Sequence, residues 1–188
     1  MTEHLAPDPV RTATLEAFAD TIIPGAKRHD SDRAVAGASA GGGAVEAGAL
    51  ALLESPEGGL APALDDLARA LNGQALEYAG GNGLELDPAV PPFVALPFEH
   101  RTALVQALTS LENPQRDPWI GIAIFSYMAF DSAAHMHTTD AIAAGHVGLT
   151  TLGFAEPDPD GLWRFPDYSY RRQLAPVHPD TTTTGSPA

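Results

Sequence analysis

Residues 14–25 read TLEAFADTIIPG, and their pattern is the strongest indication of the fold class. Its apolar side chains recur three or four residues apart, at Leu15, Phe18, Ala19, Ile22 and Ile23. This spacing predicts an α-helix over about 11–23 with one apolar face. Pro24 and Gly25 then end the helix.

The same spacing returns several times along the chain. It predicts helices at about 44–54, from Pro62 to about 80, and at about 98–112. Residues 25–43 end in three glycines and indicate a flexible loop, and Pro88, Pro91 and Pro92 keep 85–97 extended. No alternating strand pattern longer than a few residues is present. We therefore predict an all-α fold, a compact helical domain of about five to six helices with a long irregular C-terminal arm.

The helix predicted over Trp119–Phe130 carries no charge. Asp117 is its predicted N-cap, and Pro118 takes the first helical position. Because the segment is apolar nearly all round, it is expected to be the central and most buried helix. It is too short to span a bilayer, which needs about 20 apolar residues.

The chain is predicted to form one domain. Its 188 residues, of which 44% are hydrophobic, suffice for a single buried core. That domain is expected to cover residues 1–174, including the aromatic arm at 153–174, and residues 175–188 are predicted to be a disordered tail.

Charge and composition exclude several classes of function. A formal net charge of −14 argues against binding to nucleic acid or to anionic membranes, because both require a basic surface. The absence of cysteine excludes disulfides, thiolate catalysis and cysteine-ligated metal centres. The first residues do not resemble a signal peptide, so a cytoplasmic location is expected.

The densest polar cluster follows the uncharged helix. Its candidate catalytic residues are Asp131, His135, His137 and Asp140, with His146 further on. Asp131 and His135 are four residues apart and would share one helix face, where they could ligate a metal. If that helix continued, His146 would lie about 16 Å from His135, too far for a shared ion. The alternative is that these are polar groups of helix ends and interfaces, so no metal site is predicted.

Other motifs carry weaker signals. The Gly37–Gly43 stretch lacks the lysine and the preceding strand of a phosphate-binding loop. Asp65 and Asp66 are typical of a solvated helix face. Asp20 stands beside the turn at Pro24, and the simplest interpretation is that its carboxylate accepts a hydrogen bond that fixes this turn.

The C-terminal arm mixes aromatic and arginine side chains. Its candidate partner-binding residues are Phe154, Trp163, Arg164, Phe165, Tyr168, Tyr170 and Arg171. Three prolines prevent a helix across most of it. Aromatic residues and arginine are the usual contributors of binding energy in protein interfaces. The alternative is that the arm folds back and covers the chain's own helices.

The opening helix resembles that of the small subunit (subunit 3, or gamma) of gluconate 2-dehydrogenase-type flavoenzymes. In that family an L-x-A-x-A-D-T-I-I-P helix opens a small all-helical protein. The resemblance covers roughly residues 11–25 and, more weakly, 119–170. It implies a non-catalytic accessory subunit that binds and stabilises a large FAD-containing oxidoreductase of the glucose-methanol-choline type. It also implies that FAD lies in the partner and that this chain binds no cofactor.

Two functional hypotheses follow. The first is the accessory subunit or chaperone implied by the resemblance, with the arm lying along the partner. The second is a stand-alone enzyme in which Asp131, His135, His137 and Asp140 flank a pocket for an apolar small molecule, for instance in specialised metabolism.

Overall fold

The computed structural model describes residues 8–154. Within this range the chain forms eight α-helices and no strand, which confirms the predicted all-α class. The helices are α1 (Pro9–Ile22), α2 (Ala49–Leu53), α3 (Leu64–Asn82), α4 (Pro92–Ala95), α5 (Phe98–Thr109), α6 (Asp117–Ser132), α7 (Thr138–Ala143) and α8 (Val147–Thr151). Two short 3-10 turns, Pro56–Gly58 and Ala61–Ala63, precede α3. The number of helices exceeds the predicted five to six because α4, α7 and α8 are one or two turns long.

Helix α1 lies at the centre of the domain. Asp8 caps it by accepting a hydrogen bond from the backbone N–H of Val10 at 3.0 Å, and Pro9 occupies the first turn. Phe18 is fully buried, and its ring lies 6.3 Å from that of Phe93. Helix α1 contacts α2, α3, α4, α5 and α6.

Helices α3, α5 and α6 surround α1 and complete the main core. Each contributes large apolar side chains that are nearly or fully buried, among them Leu64, Leu71, Leu104, Leu108, Trp119 and Ile122. Burial of one such side chain stabilises a fold by about 1.5–3 kcal/mol relative to its exposure. The spacing of these residues in the sequence shows which side of each helix faces the core.

The prediction that α6 would be the central, most buried helix is wrong. Trp119, Ile122, Ser126 and Ala129 face inward, whereas Ile124 and Tyr127 are 50% and 54% exposed. The helix lies at the surface of the described part of the chain, and its outward side chains are apolar as well. Its start also differs from the prediction, because Arg116 is the N-cap residue and Asp117 is already helical.

The loop between α1 and α2 is anchored, contrary to the prediction of a flexible segment. Asp20, which is 1% exposed, accepts hydrogen bonds from the backbone N–H groups of Gly25 at 2.9 Å and Ala36 at 2.7 Å. The first of these bonds confirms that Asp20 fixes the turn after α1. Arg101, 3% exposed, donates to the carbonyl oxygen of Ala34 at 2.6 Å. Two buried charged side chains on neighbouring helices thus hold the loop at its start and near its middle.

Two other local predictions need correction. The segment predicted to be extended contains the short helix α4, since Pro92 can occupy the first turn of a helix. The predicted helix at about 44–54 begins only at Ala49, because Gly48 has a left-handed backbone conformation (φ 89°) that interrupts it.

The described residues belong to one compact unit. Most of the predicted arm at 153–174, and all of the predicted tail at 175–188, lie outside the described residues. Among residues 8–154, no helix is both long enough and apolar enough to cross a membrane.

Candidate functional site

The polar cluster lies where α6 ends. The helix stops at Ser132, and Ala133 follows it with a left-handed backbone (φ 49°). The prediction that Asp131 and His135 share a helix face is therefore wrong. Asp131 occupies the last turn of α6, whereas His135 lies in the loop that follows.

This change of direction brings two histidines together. The rings of His135 and His146 have centroids 5.9 Å apart, much closer than the separation along a continuous helix. His146 precedes α8, and its Nδ1 accepts the backbone N–H of Leu149 at 3.4 Å. Its Nε2 lies 2.9 Å from the carbonyl oxygen of Ala47, to which it donates. His146 thus caps α8 and ties it to the turn before α2.

His135 packs against the same turn. A methyl group at Gly48 would lie 2.4 Å from Nε2 of His135, so only glycine leaves room for the ring. Burial lowers the pKa of His135, and the neighbouring His146 lowers it further. Its Nδ1 and the Oδ1 atom of Asp131 are buried without a hydrogen-bond partner among the described residues.

The other two candidates do not join this pair. His137 and Asp140 are exposed, and Nδ1 of His137 lies 2.8 Å from the hydroxyl of Thr139. No group of three or more His, Cys, Asp or Glu residues within 8–154 could hold a metal ion. The cluster therefore consists of one closely packed histidine pair, Asp131 in the last turn of α6, and two separate surface residues.

A second candidate site is the outward side of α6. We use the term α6 stripe for Ile120, Ile124, Tyr127 and Met128, which recur three or four residues apart and so lie on one side of the helix. Tyr127 and Ile124 are about half exposed, and Met128 is just over a third exposed. Several exposed apolar side chains on one helix side are typical of a surface that binds another macromolecule.

Helix α8 lies beside the C-terminal end of this stripe. Gly148 packs so closely on α6 that a methyl group there would lie 1.8 Å from the carbonyl oxygen of Phe130. Leu152, four residues further along, is 53% exposed. Exposed apolar side chains therefore occur both on α6 and just after α8.

The predicted partner-binding arm begins where the described residues end. Phe154 is exposed, and its backbone N–H bonds to the carbonyl oxygen of Leu149 at 2.9 Å. The other members of that set lie outside the described residues, namely Trp163, Arg164, Phe165, Tyr168, Tyr170 and Arg171.

Sequence reasoning missed the buried cation Arg101. Burial lowers its pKa, and the negative charge of Asp20 opposes that shift. A signal was present, because Arg101 occurs in helical register with the buried Leu104, Val105 and Leu108. A charged residue at an inward position predicts a buried partner, which is here the loop that Asp20 also holds.

Comparison with known proteins places the chain in a family. Residues 9–188 match a family of unknown function (DUF5987), and the chain belongs to that family. No curated protein matches the chain. No solved structure matches it either.

Proposed function

We propose that this chain is a non-catalytic accessory subunit that binds and stabilises a large FAD-dependent oxidoreductase of the glucose-methanol-choline type. The proposal assigns FAD and the chemistry to the partner and places the pair in the cytoplasm. By binding the folded partner only, the small subunit would stabilise it by mass action.

The observation that carries this proposal is the α6 stripe. A helix with no charge from Pro118 to Phe130 has one side in the core and a second apolar side on which Ile124 and Tyr127 are about half exposed. Burying Ile124 and Tyr127 would add about 25 cal/mol for each Å² of apolar surface removed from water. An exposed apolar surface of this kind is expected in a protein that binds a partner through it.

The motif that suggested the family resemblance contributes to the scaffold. Leu15 and Phe18 are buried in the main core, and Asp20 holds the loop after α1 through two hydrogen bonds. These residues therefore explain why the opening helix has this sequence without assigning it a reaction. They are consistent with a small helical subunit whose function depends on its outer surface.

The test is affinity purification of the tagged full chain from its native cells, followed by mass spectrometry and flavin absorbance. We expect a large flavoprotein in a fixed ratio to the tagged chain. Trp163→Ala and Tyr168→Ala should weaken this association if the arm also contacts the partner. A monomer or homodimer without flavin would contradict the proposal.

A second candidate is the stand-alone enzyme, and one observation favours it. His135 and Asp131 each have a buried polar atom without a hydrogen-bond partner among the described residues. Unpaired polar atoms at the end of an apolar helix are a reasonable place for a small ligand. This candidate requires activity from the purified chain that His135→Ala and His137→Ala remove while Trp163→Ala does not.

A further inference from the structure

We propose that the α6 stripe is a docking surface for a protein whose contact patch is apolar at its centre and basic at the edge that meets Asp131. The inference uses the proposed function for the identity of this partner. The position of the docking surface and the apolar and basic character of the partner's patch are argued from residues 8–154 alone.

The location of the docking surface follows from the distribution of exposed apolar side chains. Most of the large apolar residues that are exposed between 8 and 154 belong to α6 or to the chain that follows it: Ile124, Tyr127, Met128, Met136, Leu152 and Phe154. The remaining three, Val10, Leu76 and Leu111, lie on or next to three different helices. Single exposed apolar residues are ordinary, whereas a row along one helix indicates an interface.

The chemistry of the partner follows from charge. From Asp117 to Phe154 the sequence contains no lysine or arginine, although it contains Asp117, Asp131 and Asp140. Asp131 follows Tyr127 by four residues and so continues the α6 stripe at its C-terminal end, about 21 Å from Asp117. Arg116 lies 3.7 Å from Asp117 and offsets the charge there. At the other end, Asp131 has no ion-pair partner within residues 8–154.

The same charges argue against a second copy as the occupant. Two copies that met through this surface would each bring a formal charge of −14, and neither carries a lysine or arginine between Asp117 and Phe154 to meet Asp131. Like charges brought together at an interface cost binding energy, whereas a basic edge gains it and speeds association. A heterologous partner with lysine or arginine beside its apolar patch fits both features.

The experiment places a photo-crosslinking residue at position 127 of the full chain in its native cells and identifies what it captures. In parallel, the purified complex is tested with Ile124→Asp, Asp131→Asn and the control Leu76→Asp. Leu76 is exposed to a similar degree but lies on α3, so it controls for the effect of a new charge on an apolar surface position. Thermal melts verify that each variant is folded.

We expect position 127 to crosslink to a flavoprotein and Ile124→Asp to weaken binding at least about tenfold, the loss typical of a central interface residue. Leu76→Asp should leave binding unchanged. Asp131→Asn should slow association and reduce its dependence on salt, because it removes an attraction between opposite charges.

The outcomes separate the two proposals. If a flavoprotein co-purifies with the wild type and binds the Ile124→Asp variant equally well, the docking surface is overturned and the proposed function stands. Capture of a protein without flavin, lost in Ile124→Asp and sensitive to Asp131→Asn, would support the surface and overturn the proposed function. A crosslink to residues 155–188 of the same chain, or to a second copy, would overturn the docking inference.

Discussion

Replacement of Asp20 by asparagine should destabilise the fold strongly. The side chain keeps its shape, so no cavity forms, but its negative charge and one acceptor oxygen are lost. The two N–H groups of Gly25 and Ala36 now face one oxygen and one NH₂ group. Arg101 also loses the negative charge that offsets its burial.

The expected magnitude follows from these contacts. A hydrogen bond to a charged group contributes about 1.5–3 kcal/mol, and Asp20 accepts two of them, while its charge also offsets part of the cost of burying Arg101. Because these contributions overlap, we expect a net loss of about 3 kcal/mol. With a urea dependence of about 2 kcal/mol per molar, the unfolding midpoint should fall by about 1.5 M.

The assay is urea unfolding followed by circular dichroism, with Asp66→Asn as the control. Asp66 pairs with Arg69, and both side chains are more than two-thirds exposed. An exposed pair of this kind contributes about 0–1 kcal/mol, so the control should unfold close to the wild type.

A double-mutant cycle sharpens the test. Asp20→Asn and Arg101→Met together should destabilise less than the sum of the single changes, because each charge makes the other tolerable when buried. A loss below about 1 kcal/mol for Asp20→Asn, or strictly additive effects, would refute the claim that this pair holds the loop after α1.

Three further predictions concern packing and pH. Because burial lowers the pKa of His135 in the folded state, the unfolded chain binds this proton more tightly than the folded protein does. The free energy of unfolding is therefore highest above the unfolded pKa near 6.5 and declines as the pH falls from there through the lower folded-state pKa. The melting temperature of His135→Gln should therefore fall less than that of the wild type between pH 7.5 and 5.5, and an equal fall would contradict the reasoning. Gly148→Ala should lower stability by about 1–3 kcal/mol through its clash with the carbonyl of Phe130, whereas Gly73→Ala, in open space on α3, should raise it by about 0.5–1 kcal/mol. Phe18→Ala should cost about 3–5 kcal/mol in urea unfolding, and a cost below about 1 kcal/mol would exclude Phe18 from the core.

Periodicity predicted the long helices because each buries one side. Leu15 and Phe18 on α1 and Leu104 and Leu108 on α5 recur at helical spacing, and the structure buries all four. The same rule could not locate α4, α7 or α8, since four to six residues contain too few turns for a period to appear. Periodicity also did not show which side of α6 faces the core, because an uncharged helix has no polar side that would mark the side facing solvent.

The candidate site was less predictable than the fold. The approach of His135 to His146 depends on Ala133, which adopts a left-handed backbone that alanine rarely takes. It depends as well on Gly48, whose missing side chain admits the imidazole ring from a segment almost ninety residues away. Neither feature produces a recognisable pattern in the neighbouring sequence. The role of Asp20 was predictable, because its partner at Gly25 is only five residues distant.

The outward side of α6 has a property that folding alone does not require. Ile122 and Ala129 already attach the helix to the core, and lysine or glutamate at Ile124 or Tyr127 would satisfy the fold at similar cost, since those positions are half in water. Charged residues there would also make the helix amphipathic, the usual arrangement at a surface. The apolar side chains at these positions gain their full burial energy only when something covers them. This property of helix α6 supports the proposal that the α6 stripe forms part of an interface.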